Sequence, residues 1–141
     1  MTSKKTKKAL RQTWNSIKKS SATLLGMLLL ISLLVEAIPS DFYTKIFNGH
    51  KIFDPLIGAI FGSIAAGNPI NSYVIGGKLM EQGVNLIAIL AFILSWVTVG
   101  IIQLPAESLM LGRKFAIFRN SYSFLTAIII AILSVYTLSL L

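Results

Sequence analysis

Apolar positions dominate the chain, and they come in long runs rather than at spaced intervals. Residues 21–38 form the first run, closed by Pro39 and Ser40. It just reaches the roughly 17–25 residues that a membrane-crossing helix needs. Residues 40–54 mix charge with Phe42, Tyr43, Phe47 and Phe53, side chains suited to a membrane interface, and predict a loop. Residues 55–66 and 70–80 are apolar but too short to cross alone. Residues 85–102 form the next span, after a turn at Gly83. Residues 103–118 are broken at Pro105, and residues 121–140 form a last span without charge.

The rest of the chain is organised around residues 62–83. Gly67, Asn68 and Pro69 interrupt the helix signal there, and Asn71 and Ser72 follow at once. Irregular backbone at membrane depth survives only where protein buries it or where it lines a polar cavity. Two arrangements fit. Residues 55–80 cross once as a broken helix, or they enter, turn at 67–69 and leave on the same side. The positive-inside rule favours re-entry: with the N-terminus inside, span 85–102 then returns Arg113, Lys114 and Arg119 to the cytoplasm.

Charge sharpens this picture. Of the 141 residues 55% are hydrophobic and 13% charged, against about 25% charged in soluble domains. The net charge is +8, and seven of the 13 Lys and Arg precede residue 20. Leu10, Trp14 and Ile17 fall on one helical face among them, which predicts a basic amphipathic helix at the lipid surface. The basic side chains sit in a tail beside an apolar run, so no nucleic-acid partner is expected. The start resembles a signal peptide, but the charged region is long and no small-x-small site clearly follows. An uncleaved first span is expected.

Chemistry is sparse. There is no cysteine and one histidine, His50, in a loop. No phosphate loop, dinucleotide fingerprint, zinc-hydrolase motif or Ser/His/Asp set is present. Neither an enzyme, nor a metal site, nor a cofactor is expected. What remains is polar groups at breaks. At the first, Gly67 can take unusual dihedrals, Pro69 suits the first turn of the next half-helix, and Asn71 and Ser72 supply donors and acceptors. The bland alternative is that these groups only satisfy the break itself. At the second, Gln103 and Glu107 flank Pro105 four residues apart. A carboxylate at membrane depth is a candidate for holding a cation or a proton, unless it sits at the interface. Gly58 and Gly62 form a GxxxG pair for close helix packing, a motif frequent by chance. Lys78 and Glu81 read as a surface ion pair.

Two stretches, residues 62–84 from Gly-Ser-Ile-Ala-Ala-Gly-Asn-Pro-Ile-Asn-Ser-Tyr onward and residues 92–120 with Gln-Leu-Pro-Ala-Glu followed by Leu-Gly-Arg-Lys, resemble a known family. It is the YraQ-like or ArsP-like predicted permeases, which include organoarsenical efflux permeases. The chain is similar to the C-terminal half of a full-length member. The resemblance implies a half-size permease that pairs with itself or with a second half-size protein. The cysteine motif some members carry at the first break is replaced by Asn68-Pro-Ile-Asn-Ser72, so capture of arsenic by thiolate does not carry over.

The expectation is an all-α polytopic membrane protein with three to four membrane segments, broken or re-entrant, behind a basic N-terminal helix. Residues 1–20 form the cytoplasmic or interfacial segment and residues 21–141 the membrane domain, multi-pass in the cell membrane. The function this implies is secondary transport or efflux of a small solute or ion through a cavity formed on dimerisation, with Gly67, Asn68, Pro69, Asn71, Ser72, Gln103, Pro105 and Glu107 along the path. The alternative is a non-transporting membrane scaffold or accessory subunit.

Overall fold

A computed structural model describes residues 2–37, 40–65 and 67–140. Every regular element among them is a helix: α1 (Thr2–Ala37), α2 (Ser40–Ile46), α3 (Phe53–Ile64), α4 (Pro69–Glu81), α5 (Leu86–Thr98), α6 (Leu104–Leu111) and α7 (Arg113–Leu138). The chain divides into two compact units at Ala37/Ile38. Pro39, the expected stop of the first span, lies outside the described residues.

The first unit is α1 alone. The basic tail and the first apolar run share one unbroken helix of 36 residues. Its sequence is rich in Lys and Leu, good helix formers, and free of proline. Leu10, Trp14 and Ile17 are all exposed on it. The Lys18 ammonium stands 5.8 Å from the centre of the Trp14 ring.

The second unit is built on α5. Gly58 of α3 abuts Ala88, and Gly62 abuts Phe92, so numbering rises the same way along both helices: α3 and α5 are parallel. Asp54 ties their starts together. Its buried carboxylate accepts from the Gly49 N–H at 2.9 Å and from the Asn85 side chain. Asn85 in turn caps α5 by accepting from the Ala88 N–H at 2.9 Å. One carboxylate thus sits at the positive ends of two helices. The expected loop 40–54 is therefore partly helical: α2 occupies its start, and Phe53 and Asp54 already belong to α3.

Between them α4 runs back. Gly76 lies against Ile89 and Ile93, and Leu79 packs on the cluster of Val84, Ala88 and Ile89. The chain therefore reverses direction between α3 and α4. A straight broken helix over 55–80 is not what forms.

Helix α7 runs antiparallel to α5. Asn120 bonds to Gly100, and Ala131 packs with Ala91 and Ala59. The buried positions of α7 are Ala116, Asn120, Ala127 and Ala131. Their spacing of four, seven and four puts them on one face, where the three alanines admit close packing. Leu125, Ile129, Ile130 and Leu133 face outward, exposed. With 26 residues, and a mean hydropathy of 1.9 over its most apolar 18-residue stretch, α7 is the one helix among the described residues long and apolar enough to cross a membrane. It begins at Arg113, eight residues before the expected span. The span expected over 85–102 is helical only to Thr98, and the segment expected over 108–118 is split at Gly112, whose φ of 90° ends α6.

Candidate functional site at two helix breaks

The two breaks meet. Residues 65–68 follow α3, and residues 99–103 follow α5. Because α3 and α5 are parallel and in register, both breaks fall at the same level. A small cavity of about 50 Å³ lies between them, lined by Ala65, Gly67, Trp96, Val99, Gly100 and Gln103 among others. Its side chains are largely apolar, so the polar groups it offers are main-chain groups, the Trp96 indole and the Gln103 carboxamide. At 1.5 Å per residue, Asn120 at this level lies about 10 Å along α7 from its first residue and about 27 Å from its last.

The first break follows from its sequence. Gly67 has φ of 145°, which a side chain would strain. Asn68 is extended, and its Oδ1 accepts from the Ile70 N–H at 3.0 Å, a side-chain cap. Pro69 fills the first helical position, where no N–H is needed. Ser72 is fully buried, and its hydroxyl donates to the Pro69 carbonyl at 2.7 Å. Asn71 is 4% exposed, and its side chain makes no hydrogen bond among the described residues. Its amide end lies beside Gly67.

The second break is held by α7. Asn120, 6% exposed, accepts from the Gly100 N–H at 2.8 Å. It donates to the Ala116 carbonyl at 3.0 Å and to Glu107 Oε2 at 3.2 Å. Glu107 is also paired with Arg119. The second Arg119 nitrogen reaches the Thr98 carbonyl at 3.4 Å. The groups freed at the end of α5 therefore find partners on one turn of α7.

Of the residues expected along a path, Gly67 and Gln103 line the cavity, and Asn71 flanks it. Asn68, Pro69 and Ser72 build the turn beside it. Pro105 lies in the first turn of α6, and Glu107 faces α7 in an ion pair. Gly58 and Gly62 lie at backbone contact with α5, so the packing pair is real geometry here. Lys78 and Glu81 are an exposed pair at 2.8 Å. Comparisons with family models, with curated proteins and with solved structures find no match.

Sequence reasoning missed four contributors. Trp96 is held edge-on to Phe92, ring centres 5.4 Å apart, and its Nε1 is buried without a partner among the described residues, as is Ser95 Oγ. Asn120 and Asp54 are buried and bonded. An Asn beside an Arg in a long apolar helix, and an Asp-Pro pair at a helix start, were the available signals. A larger apolar groove, about 270 Å³, lies between α3 and α4 over Ala88 and Phe92, with Tyr43 of α2 and Phe47 just after it along its length. It offers nothing polar and stands apart from the breaks.

Proposed function

We propose that the chain is a half-size membrane permease subunit, passing a small solute or ion through a cavity completed by a second copy. The observation that carries this is the meeting of two helix breaks at one polar cavity in an apolar bundle. Broken helices set side by side are how transporters bring polar backbone to the middle of a bilayer. The same two breaks carry the resemblance to the YraQ-like and ArsP-like permeases.

In this reading α7 crosses, since about 39 Å of helix exceeds a hydrocarbon core of about 30 Å. Antiparallel to it, α5 and α6 make one interrupted crossing. Helices α3 and α4, each about 18–20 Å long, enter and leave on one side. The apolar part of α1 is a further crossing, with its basic end in the cytoplasm. Arg113 and Lys114 then share that side with the tail, as the positive-inside rule asks. The outward Leu and Ile of α7 meet lipid. One copy leaves its breaks bounded on few sides, which is why a partner is invoked, and two-fold pairing is the commonest way to supply it.

The test joins mass to flux. Native mass spectrometry from nanodiscs should give a homodimer or a pair with another short membrane protein. Proteoliposomes under gradients of small neutral solutes and salts should equilibrate at least one of them faster than protein-free vesicles. A lone monomer with protein-free permeability for the whole panel would sink the reading. Intact assembly without flux would instead favour the scaffold alternative, which draws support from how completely Asn120 and Arg119 satisfy the second break.

A further inference from the structure

We infer that the junction of the two breaks holds a monovalent alkali cation on main-chain and carboxamide oxygens; this rests on the permease reading and names the ion of that site. Helices α3 and α5 are parallel, so both turn their negative ends to the junction. Their last turns leave oxygens unused. The carbonyls of Ser63 and Ile64 in α3, and of Trp96 and Val97 in α5, accept no hydrogen bond among the described residues. Trp96 and Val97 line the cavity itself. Two carboxamides add to this set. Gln103, also in the lining, holds Oε1 3.0 Å from the point that a Cβ on Gly100 would take. Asn71, 4% exposed, has no side-chain partner among the described residues, and its Nδ2 lies 3.4 Å from the matching point on Gly67. Half a turn about its last bond brings Oδ1 there instead.

The helix starts at the same level are closed. At the start of α4, Pro69 has no N–H, and the N–H groups of Ile70 and Asn71 go to the Asn68 side chain and carbonyl at 3.0 and 2.9 Å. At the start of α6, the Leu104 N–H goes to the Ile101 carbonyl at 3.3 Å and the Glu107 N–H to the Gln103 carbonyl at 3.0 Å. Arg119 meets the end of α5 at the Thr98 carbonyl, and Glu107 offsets its charge. No carboxylate joins the oxygen set: Glu107 is engaged by Arg119 and Asn120, and no cluster of three His, Asp or Glu occurs among the described residues. Neutral oxygens alone suit a single charge, whereas calcium sites draw on carboxylates. Transporters hold sodium on unwound carbonyls and on the C-terminal ends of half-helices, and potassium filters are rings of carbonyls. The cavity of about 50 Å³ compares with roughly 30 Å³ for a water in the liquid, room for one ion with about one water.

The chain has two tryptophans, so ¹⁵N-labelled indoles give a reporter in the cavity wall, Trp96, and a control in Trp14. The full chain in nanodiscs is titrated with sodium chloride or potassium chloride in place of N-methylglucamine chloride, at constant pH and ionic strength. The expected result is a saturable shift of the Trp96 signal with sodium, potassium or both, and none at Trp14. Gln103→Leu changes an exposed residue and should weaken that binding on the order of tenfold, as should Asn71→Leu. If Asn71→Leu fails to fold, the wild-type titration and Gln103→Leu decide. A Trp96 signal that is the same in sodium, potassium and N-methylglucamine overturns the inference. So does one that follows exchange of chloride for gluconate at fixed sodium, an anion then being held, or wild-type affinity in both variants. Saturable cation binding with protein-free permeability to the whole solute and salt panel would sink the permease reading and leave the ion site. Solute flux indifferent to the cation present, with a silent Trp96, would do the reverse.

Discussion

Replacing Gly62 by alanine tests the parallel contact of α3 and α5 most directly. The new Cβ would stand 2.2 Å from the Phe92 carbonyl oxygen and 3.0 Å from its carbon. A carbon and a carbonyl oxygen sit comfortably at about 3.3–3.6 Å, so the helices must part by roughly 1 Å. The obstacle is backbone, which cannot rotate away. A gap of that size forfeits up to about half of each dispersion contact along the seam, and overpacking in cores costs about 1–3 kcal/mol. Alanine returns up to about 1 kcal/mol of helix propensity. The net expectation is a loss of about 1–2 kcal/mol for Gly62→Ala, and the same for Gly58→Ala, whose Cβ meets the Ala88 oxygen at 2.2 Å. Gly77 supplies the control: it is helical, with nothing within 4 Å of an added Cβ. Gly77→Ala should therefore be neutral or stabilising. Thermal unfolding in detergent, followed by tryptophan fluorescence, should lower the midpoint for the first two and not for the third. Equal midpoints for all three would refute the close parallel seam.

Other expectations follow from the polar contacts. Asn120→Leu strands the Gly100 N–H and one Glu107 oxygen and should cost about 1–3 kcal/mol, read by the same unfolding assay. Glu107→Gln and Arg119→Gln should each destabilise more than half as much as the double variant, with a coupling of about 0.5–3 kcal/mol in the cycle; strict additivity would mean the pair does not form. Asn85→Leu removes both the cap of α5 and a donor to buried Asp54, and should be worse than Asn68→Leu, which loses an exposed cap worth about 1 kcal/mol. Burial raises the Tyr43 hydroxyl above its usual 10.0. The folded state therefore resists the phenolate, and stability present below pH 10.0 is lost as pH climbs through the raised value. Tyr43→Phe should remove that part of the alkaline loss, and an unchanged profile would count against it.

The helix breaks were legible in the sequence because glycine, asparagine and proline act locally. Gly67, Asn68 and Pro69 each do at the turn what their chemistry dictates, and Gly58 and Gly62 sit at the contact their spacing suggests. What was not legible is where α7 begins. Arg113 and Lys114 argued for a boundary after them, yet a helix carries its first-turn charges readily when they are exposed. The roles of Asn120 and Trp96 were hidden for another reason. Each is defined by a residue twenty or more positions away, Gly100 for one and Gly67 for the other, and no local pattern encodes such a meeting. Glu107 shows the same limit: the composition marks it as an isolated acid, and only the approach of α7 supplies Arg119.

Helices α3 and α4 each lean on α5, and this has a bearing on biosynthesis. A ribosome delivers them first. Until residues 86–98 emerge, Gly58, Gly62 and Gly76 have no surface to meet, and the turn at Gly67 has no Trp96 beside it. In the permease reading, two such short segments do not settle in a bilayer on their own, so their insertion waits for α5 and the topology is fixed late.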